Sequence, residues 1–304
     1  MRQRPEHRNN SLLRWTGVLL VLLGLAHSAP AADPILIGAG DIAKCGPRLP
    51  NAEATARLLD EFFANNQDAE SVVFTLGDAV YPKGRVGEFT ECYEPTWGRH
   101  KDRTRPSVGN HEYKTRGAQP YYEYFGDKAG EAGKGYYSYN LGEWHIIALN
   151  SICEEVGCGP GSPQYKWLAD DLKNNPRPCT LAYMHHPFFS SGKHGGAKEL
   201  RPFFDLLYEH RVDVALGGHE HNYERFAPQT PDGDLEEGRG IQQFIVGTGG
   251  RELRRVRRPQ PNSVVLDRSS YGVLKLTLKP KSYDWEFLPI AGASFSDAGS
   301  RECN

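Results

Sequence analysis

The chain has 304 residues, with 36 basic against 38 acidic side chains, a formal net charge of −2 and 38% hydrophobic residues. A balance this close to neutrality leaves no electrostatic footprint for nucleic acid, and the length admits one large domain with a substantial core.

Taken in order, Arg2, Arg4, Arg8 and Arg14 flank and precede the almost wholly apolar run from Trp15 to Ala26, and Ala29-Pro30-Ala31 follows as a small-residue cleavage site. This predicts a secretory signal peptide over residues 1–31, cut after Ala31. The apolar run is shorter than the roughly 20 residues that span a bilayer, so no stable membrane insertion is expected after cleavage. The product is then secreted or periplasmic, residues 32–304 form one catalytic domain, and the remaining 32 basic and 37 acidic residues leave a charge of −5. An oxidising compartment suits the six cysteines. Six allow fifteen pairings; the reading taken is Cys153–Cys158 as a local clamp, Cys45–Cys92 between two loops and Cys179–Cys303 at the C-terminus.

Pro34 to Ala39 predicts a first strand, Asn51 to Asn65 a helix with Leu58, Leu59, Phe62 and Phe63 at helical spacing, and Ser71 to Leu76 a β-branched strand. A loop-like stretch follows from Pro82 until Pro106-Ser107-Val108. Tyr136 to Leu141 and Glu143 to Asn150 read as strands joined at Gly142, and Ser162-Pro163 opens a helix. Strands are expected at Thr180 to Met184, Val212 to Leu216 and Ile241 to Val246, with a helix near Glu199 to His210, and a final hairpin from Tyr271 to Leu278 and Ser282 to Pro289. Early strand–helix alternation followed by late hairpins predicts an α/β sandwich with mixed sheets inside and helices outside.

Five clusters punctuate these strands: Gly40-Asp41, Gly77 to Tyr81, Gly109 to Glu112, Met184 to His186, and Gly218 to His221. Their Asp, Asn, His and Tyr side chains offer oxygen and nitrogen donors without thiolate, a set suited to iron, zinc or manganese. Asp78 is the natural bridge between two ions, with Asp41, Tyr81 and His221 completing one site and Asn110, His185 and His219 the other. Two ions held roughly 3.5–4 Å apart can bind one phosphate and make hydroxide available near neutral or acidic pH. His219 and His221 would share a face of an extended strand, so serving two ions requires a bend, for which Gly217-Gly218 provides. Tyr81 as a phenolate, with Asp41 and Asp78, gives three negative charges and favours a ferric ion.

In this order the clusters resemble the calcineurin-like metallophosphoesterase superfamily, and specifically the purple acid phosphatases, whose pattern is Asp-x-Gly, Gly-Asp-x-x-Tyr, Gly-Asn-His-Asp/Glu, Val-x-x-His and Gly-His-x-His. Here they read Asp41-Ile42-Ala43, Gly77 to Tyr81, Gly109 to Glu112, Ala182 to His185 and Gly218 to His221, extended by Asn222-Tyr223-Glu224-Arg225. Ala43 and Ala182 depart from the pattern without removing a ligand. The resemblance implies a four-layer α/β/β/α sandwich with two mixed sheets; the N-terminal accessory domain of plant members is not expected, since the first cluster begins almost at the expected mature terminus. It implies Fe(3+) held by Asp41, Asp78, Tyr81 and His221, and a divalent ion (Fe, Zn or Mn) held by Asp78, Asn110, His185 and His219. It assigns His111 to substrate contact and protonation of the leaving oxygen, and places His194 at a phosphate-touching position.

The activity expected is hydrolysis of small or macromolecular phosphate monoesters. The rivals are a diesterase or nucleotidase with two divalent metals, and a secreted binding module that keeps the fold without catalysis. His186 is either a hydrogen-bonding neighbour of His185 or, more simply, a side chain packed behind it. His100, His145 and His210 read as structural. Arg251, Arg254, Arg255, Arg257 and Arg258 could steer anions, although a solvated loop is the simpler use, and Tyr121 to Phe125 reads as core before pocket wall.

Overall fold

Apolar runs that end in Gly-Asp or Gly-His pairs become the parallel strands of two packed sheets. The structure is a computed structural model describing residues 1–2, 32–46, 49–256 and 258–304. Nearly all of the expected signal peptide, residues 3–31, lies outside the described residues, as does Arg257.

In chain order the strands are β1 (Ile35–Ala39), β2 (Ala43–Lys44), β3 (Ser71–Leu76), β4 (Val80–Tyr81), β5 (Thr104–Ser107), β6 (Tyr137–Leu141), β7 (Trp144–Ala148) and β8 (Cys179–Tyr183). They continue as β9 (Val214–Gly217), β10 (Tyr223–Phe226), β11 (Gln242–Val246), β12 (Ser263–Asp267), β13 (Gly272–Lys279), β14 (Ser282–Pro289) and β15 (Ala298–Glu302). One mixed sheet runs β15-β14-β13-β1-β3-β5, the other β12-β10-β11-β9-β8-β7-β6, and β2 pairs with β4 in a short parallel ladder. Strands β1, β3 and β5 are parallel in the first sheet, and β7, β8, β9 and β11 in the second.

The period of two along the second sheet separates its faces. Trp144, Ile146 and Ala148 of β7, Leu181 and Tyr183 of β8, and Val214 and Leu216 of β9 enter the core shared with the first sheet. The alternate residues Ile147, Ala182 and Ala215 pack instead under the helices Pro163–Asn174 and Arg201–Glu209, against Leu168, Leu172, Phe203 and Leu207. Ser162 caps the first of these helices, its Oγ accepting the Tyr165 N–H at 3.2 Å ahead of Pro163. The helix Pro50–Asn65 buries Ala52, Ala56, Leu59 and Phe62 along one stripe into the core on the β13 side. Burial of Leu59 and of Phe62 stabilises by about 1.5–3 kcal/mol each. Helices therefore flank two mixed sheets, as expected.

The three disulfides are Cys45–Cys92, Cys153–Cys158 and Cys179–Cys303. The stretch after Pro82 is not open loop: helical turns cover Val86–Tyr93 and Trp97–Arg103, and Thr104–Ser107 completes a strand. Tyr121, Tyr122 and Phe125 belong to the core. Among the described residues no helix is long and apolar enough to cross a membrane.

Candidate metal centre

Parallel strands aim their carboxyl ends at one edge, and the crevice beyond that edge is where α/β sheets bind ligands. Asp41 lies two residues past β1, Asp78 two past β3, Asn110 three past β5, and His185 and His219 two past β8 and β9. A backbone bond stitches the two sheets together there, Gly40 N–H donating to Val246 O at 2.8 Å, and Gly218 N–H joins the turns after β9 and β8 by donating to His185 O at 2.8 Å. Asp41, Asp78 and His219 all take left-handed backbone angles, with φ of 59°, 50° and 65°. Such angles cost about 1–3 kcal/mol each and persist where the surroundings impose them. Gly109 is required by close approach, since a Cβ there would lie 2.3 Å from Asp78 Oδ1.

Asp41, Tyr81 and His221 meet on one side. The Tyr81 hydroxyl donates to Asp41 Oδ1 at 2.7 Å, and His221 Nε2 lies 3.3 Å from the same oxygen and 3.4 Å from the hydroxyl. On the other side His185 Nε2 lies 2.9 Å from Asn110 Oδ1, 3.2 Å from His219 Nδ1 and 3.5 Å from Asp78 Oδ1. The oxygen or nitrogen donors of Asp41, Asp78 and His185 lie within 4.8 Å of one another, so the two groups form one continuous centre. The bend expected between His219 and His221 is present, with Glu220 N–H folding back on Gly218 O at 2.7 Å.

The hydrogen-bond chemistry of this centre calls for a cation. His185 Nδ1 contacts Leu76 O and His221 Nδ1 contacts Glu252 O, both at 2.7 Å. A carbonyl only accepts, so each Nδ1 carries the proton and each Nε2 turns a lone pair inward. Lone pairs of His185, Asn110 and Asp78 thus face each other with no proton between them. Two nitrogens bound at about 2.05 Å to one tetrahedral ion would stand about 3.3 Å apart, close to the 3.2 Å between His185 and His219. The donor set fits two metal ions.

Burial, then the Asp41 and Asp78 carboxylates, push the Tyr81 phenol far up. Burial, His185 and His186 drive His219 strongly down, keeping its ring neutral.

Around the centre stand further polar residues. Buried Glu112 accepts the N–H groups of Asp78 at 2.9 Å and Gly109 at 2.8 Å, fixing the turn that aims Asp78. Burial and then the Asp78 charge push Glu112 up to about 8. His111 N–H donates to Asp78 Oδ1 at 2.8 Å, its Nδ1 to Pro82 O at 2.8 Å, and its Nε2 lies 2.9 Å from Lys114 Nζ. Burial and Lys114 lower His111, against the pull of Asp78.

His194 sits with its ring centroid 4.7 Å from that of His219. Its Nδ1 lies 3.3 Å from buried Glu220 and 3.2 Å from Arg254, whose guanidinium also donates to His219 O at 3.2 Å. Arg251 places its guanidinium 4.7 Å from the Tyr81 ring centroid. Two arginines of the 251–258 run therefore border the centre, which corrects the simpler reading of that run as a solvated loop. The ring centroid of His186 is 5.0 Å from that of His185 and 4.4 Å from that of His219, and it lines a cavity of about 220 Å³ shared with His194 and Glu199. His145 is structural as expected, held by Asp171 at 2.7 Å. Consecutive histidines, and arginines directly after a strand-end Gly-Thr-Gly-Gly, were the signals available for His186, Arg251 and Arg254.

The family model of the calcineurin-like phosphoesterases matches residues 32–223. The probable purple acid phosphatase 20 of Arabidopsis thaliana is 29% identical over 234 residues, covering 66% of this chain and 52% of the relative. Acid phosphatase type 7 of Homo sapiens is 30% identical over 245 residues, covering 67% and 53%. The chain spans about half the length of these curated relatives. A purple acid phosphatase from yellow lupin (Lupinus luteus) seeds superimposes with a TM-score of 0.74 at 18% identity, over 90% of this chain and 54% of that one. GAP50, the anchor in the inner membrane complex of Plasmodium, does so with a TM-score of 0.69 at 12% identity, over 90% of each chain. At these identities the two structures speak for the fold alone.

Proposed function

Given that the chain belongs to the calcineurin-like phosphoesterase family, we propose that it is an exported dinuclear-metal hydrolase of phosphate monoesters, purple acid phosphatase-like in its site. The observation that carries this reading is the convergence of oxygen and nitrogen donor atoms from Asp41, Asp78, Asn110, His185, His219 and His221, with Tyr81, at the carboxyl ends of parallel strands. Asp41, Tyr81 and His221 would hold a ferric ion, Asn110, His185 and His219 would hold a divalent iron, zinc or manganese ion, and the Asp78 carboxylate would serve both. Bound there, two cations supply charge for the phosphate oxygens and make hydroxide available in acid or neutral solution.

The chain's own groups do the rest. Arg254 and His194 meet substrate oxygens on the His219 side, where a guanidinium offers charge-assisted hydrogen bonds to a phosphate. His111 contacts the substrate from the opposite side and protonates the departing oxygen, with Lys114 Nζ, 2.9 Å away, returning its proton. Glu112 and Glu220 accept backbone N–H groups and hold the turns that aim Asp78 and the His194 loop. Three disulfides support export, since such bonds persist in oxidising compartments.

Elemental analysis of natively purified protein, paired with a pH profile on an aryl phosphate, tests the reading. Two metal equivalents including iron, and turnover highest in acid, are expected. Protein that binds two ions yet hydrolyses no phosphoester would overturn it in favour of a binding module, and an active, iron-free protein would favour the two-divalent rival.

A further inference from the structure

We propose that His186 is a third imidazole ligand of the divalent site, alongside His185 and His219. This deepens the dinuclear reading and rests on it.

The first argument is how the ring is held. His186 Nδ1 lies 3.1 Å from Ser151 O and 3.2 Å from Ser151 Oγ, and that Oγ accepts the His186 N–H at 2.8 Å, which leaves the carbonyl as the acceptor for an Nδ1 proton. The carbonyl takes the Nδ1 proton and leaves Nε2 with an exposed lone pair. His185 and His221 are held the same way, on Leu76 O and Glu252 O. A carbonyl behind the imidazole is the arrangement that orients metal-bound histidine and raises its basicity. It also removes the N–H that Nε2 would need to donate to a phosphate oxygen.

The second argument is the mutual disposition of three rings. The centroid of His186 lies 5.0 Å from that of His185 and 4.4 Å from that of His219, and His185 and His219 are 5.0 Å apart. The planes cross at 61°, 68° and 77°. Three imidazoles on one ion at about 2.0–2.1 Å per nitrogen place their centroids about 5 Å apart. One ring nitrogen from each of the three lies within 4.8 Å of the other two.

A third nitrogen makes this site richer in imidazole than its neighbour, which keeps one histidine, His221. Zinc or ferrous iron would then be preferred there over magnesium or calcium.

The test uses the full-length protein stripped of metal and titrated with Co(2+) against a competing chelator, in wild type, His186→Ala and His186→Gln. The weaker of the two cobalt dissociation constants should rise at least about tenfold in both variants, the other staying unchanged, and the visible cobalt spectrum should shift. Circular dichroism of the metal-free proteins checks folding. Should both variants fail to fold, X-ray absorption of the wild-type dicobalt protein decides instead: two imidazoles per cobalt on average support the proposal, and one and a half refute it. Unchanged constants and an unchanged spectrum overturn it, even where a phosphate KM moves. Wild-type protein that binds fewer than two cobalt ions refutes the dinuclear reading itself.

Discussion

The backbone N–H of Asp78 donates to Oε2 of Glu112 at 2.9 Å, so the residue that aims the proposed bridging carboxylate is itself a buried carboxyl thirty-four positions away. Glu112 also receives Gly109 N–H on the same oxygen, and nothing of its side chain reaches solvent. Removing it leaves those donors unpaired in the interior, a penalty of about 1–3 kcal/mol for each group. Glu112→Ala should therefore destabilise the metal-free protein by about 2–5 kcal/mol in urea unfolding and weaken metal binding as well. Glu112→Gln keeps one acceptor for the shared Asp78 and Gly109 donors and should cost less than about 1.5 kcal/mol. Equal costs for the two variants would show that a single amide acceptor does not hold the turn and that both carboxyl oxygens are required.

Asp78→Asn separates function from stability. Asn tolerates the left-handed φ of 50° that Asp78 adopts, so the turn survives. Binding of both ions and activity should be lost together. The metal-free form should be at least as stable as wild type, by up to about 1 kcal/mol, because a buried charge beside Asp41 and Glu112 has been removed. Differential scanning calorimetry of stripped proteins reads this directly; a lower Tm in the variant would mean that Asp78 holds the fold together rather than storing cost for a ligand.

Much of this site was legible because of how buried parallel strands are written. Ile35–Ala39, Ser71–Leu76 and Cys179–Tyr183 are covered on both faces or nearly so, so they appear as unbroken apolar runs, and the donor-bearing turn follows each. Two of the strands that escaped notice have no such signature. Tyr223–Phe226 interrupts its aromatic pair with Glu224 and Arg225, whose partners Ser191 and Asp297 are remote in sequence. Ala298–Glu302 is an edge strand with no large apolar residue. The carbonyl groups of Leu76, Glu252 and Ser151 that fix the histidine rings were equally invisible, because every residue type carries one. Lys114 was overlooked, and Arg254 was read first as solvated loop, for a related reason: a flexible cation beside a motif reads as surface until its partner is located.

Arg254 should report on substrate binding more than on turnover. Its guanidinium bridges His194 and the His219 carbonyl, on the edge where a phosphate would sit. A lost charge-assisted hydrogen bond of about 1.5–3 kcal/mol corresponds to roughly 10- to 150-fold. Arg254→Gln should therefore raise KM for an aryl phosphate and the inhibition constant of inorganic phosphate at least about tenfold, with metal content unchanged. Exposed Arg255→Gln is the matched control for net charge and should leave both constants within twofold. Parallel changes in the two variants would mean that the run acts only through its long-range field.

Tyr81→Phe removes a hydroxyl that donates to Asp41 at 2.7 Å while leaving a ring on which Arg251 rests. The phenol loses its proton only under a strong cation, because burial and two carboxylates oppose ionisation. If a ferric ion draws off that proton, iron-loaded wild type should show a visible tyrosinate-to-iron absorption band that Tyr81→Phe lacks at equal iron content. A band that survives the substitution would place the phenolate, or the ferric ion, elsewhere.

Far from the centre, Asp213 makes stability depend on pH in a direction unusual for a carboxylate. It is buried at the joint between β8 and the C-terminus, accepting Thr180 N–H at 2.7 Å and Asn304 N–H at 2.6 Å beside the Cys179–Cys303 bridge. Burial outweighs these hydrogen bonds and raises the group from 3.8 to about 6. Between those two values the folded chain holds the proton more tightly than the unfolded chain. This contribution is therefore full below about pH 4 and is lost as pH rises through about 6. At roughly 1.4 kcal/mol per pKa unit the change amounts to about 3 kcal/mol. Asp213→Asn cannot titrate, so groups common to both proteins cancel in the difference between them. The unfolding free energy of wild type relative to Asp213→Asn should fall by about 2–3 kcal/mol between pH 4 and pH 7.5. A difference that is flat, or that grows with pH, would mean that the two N–H donors hold Asp213 ionised throughout, and that the acid-side stability of this joint comes from another group.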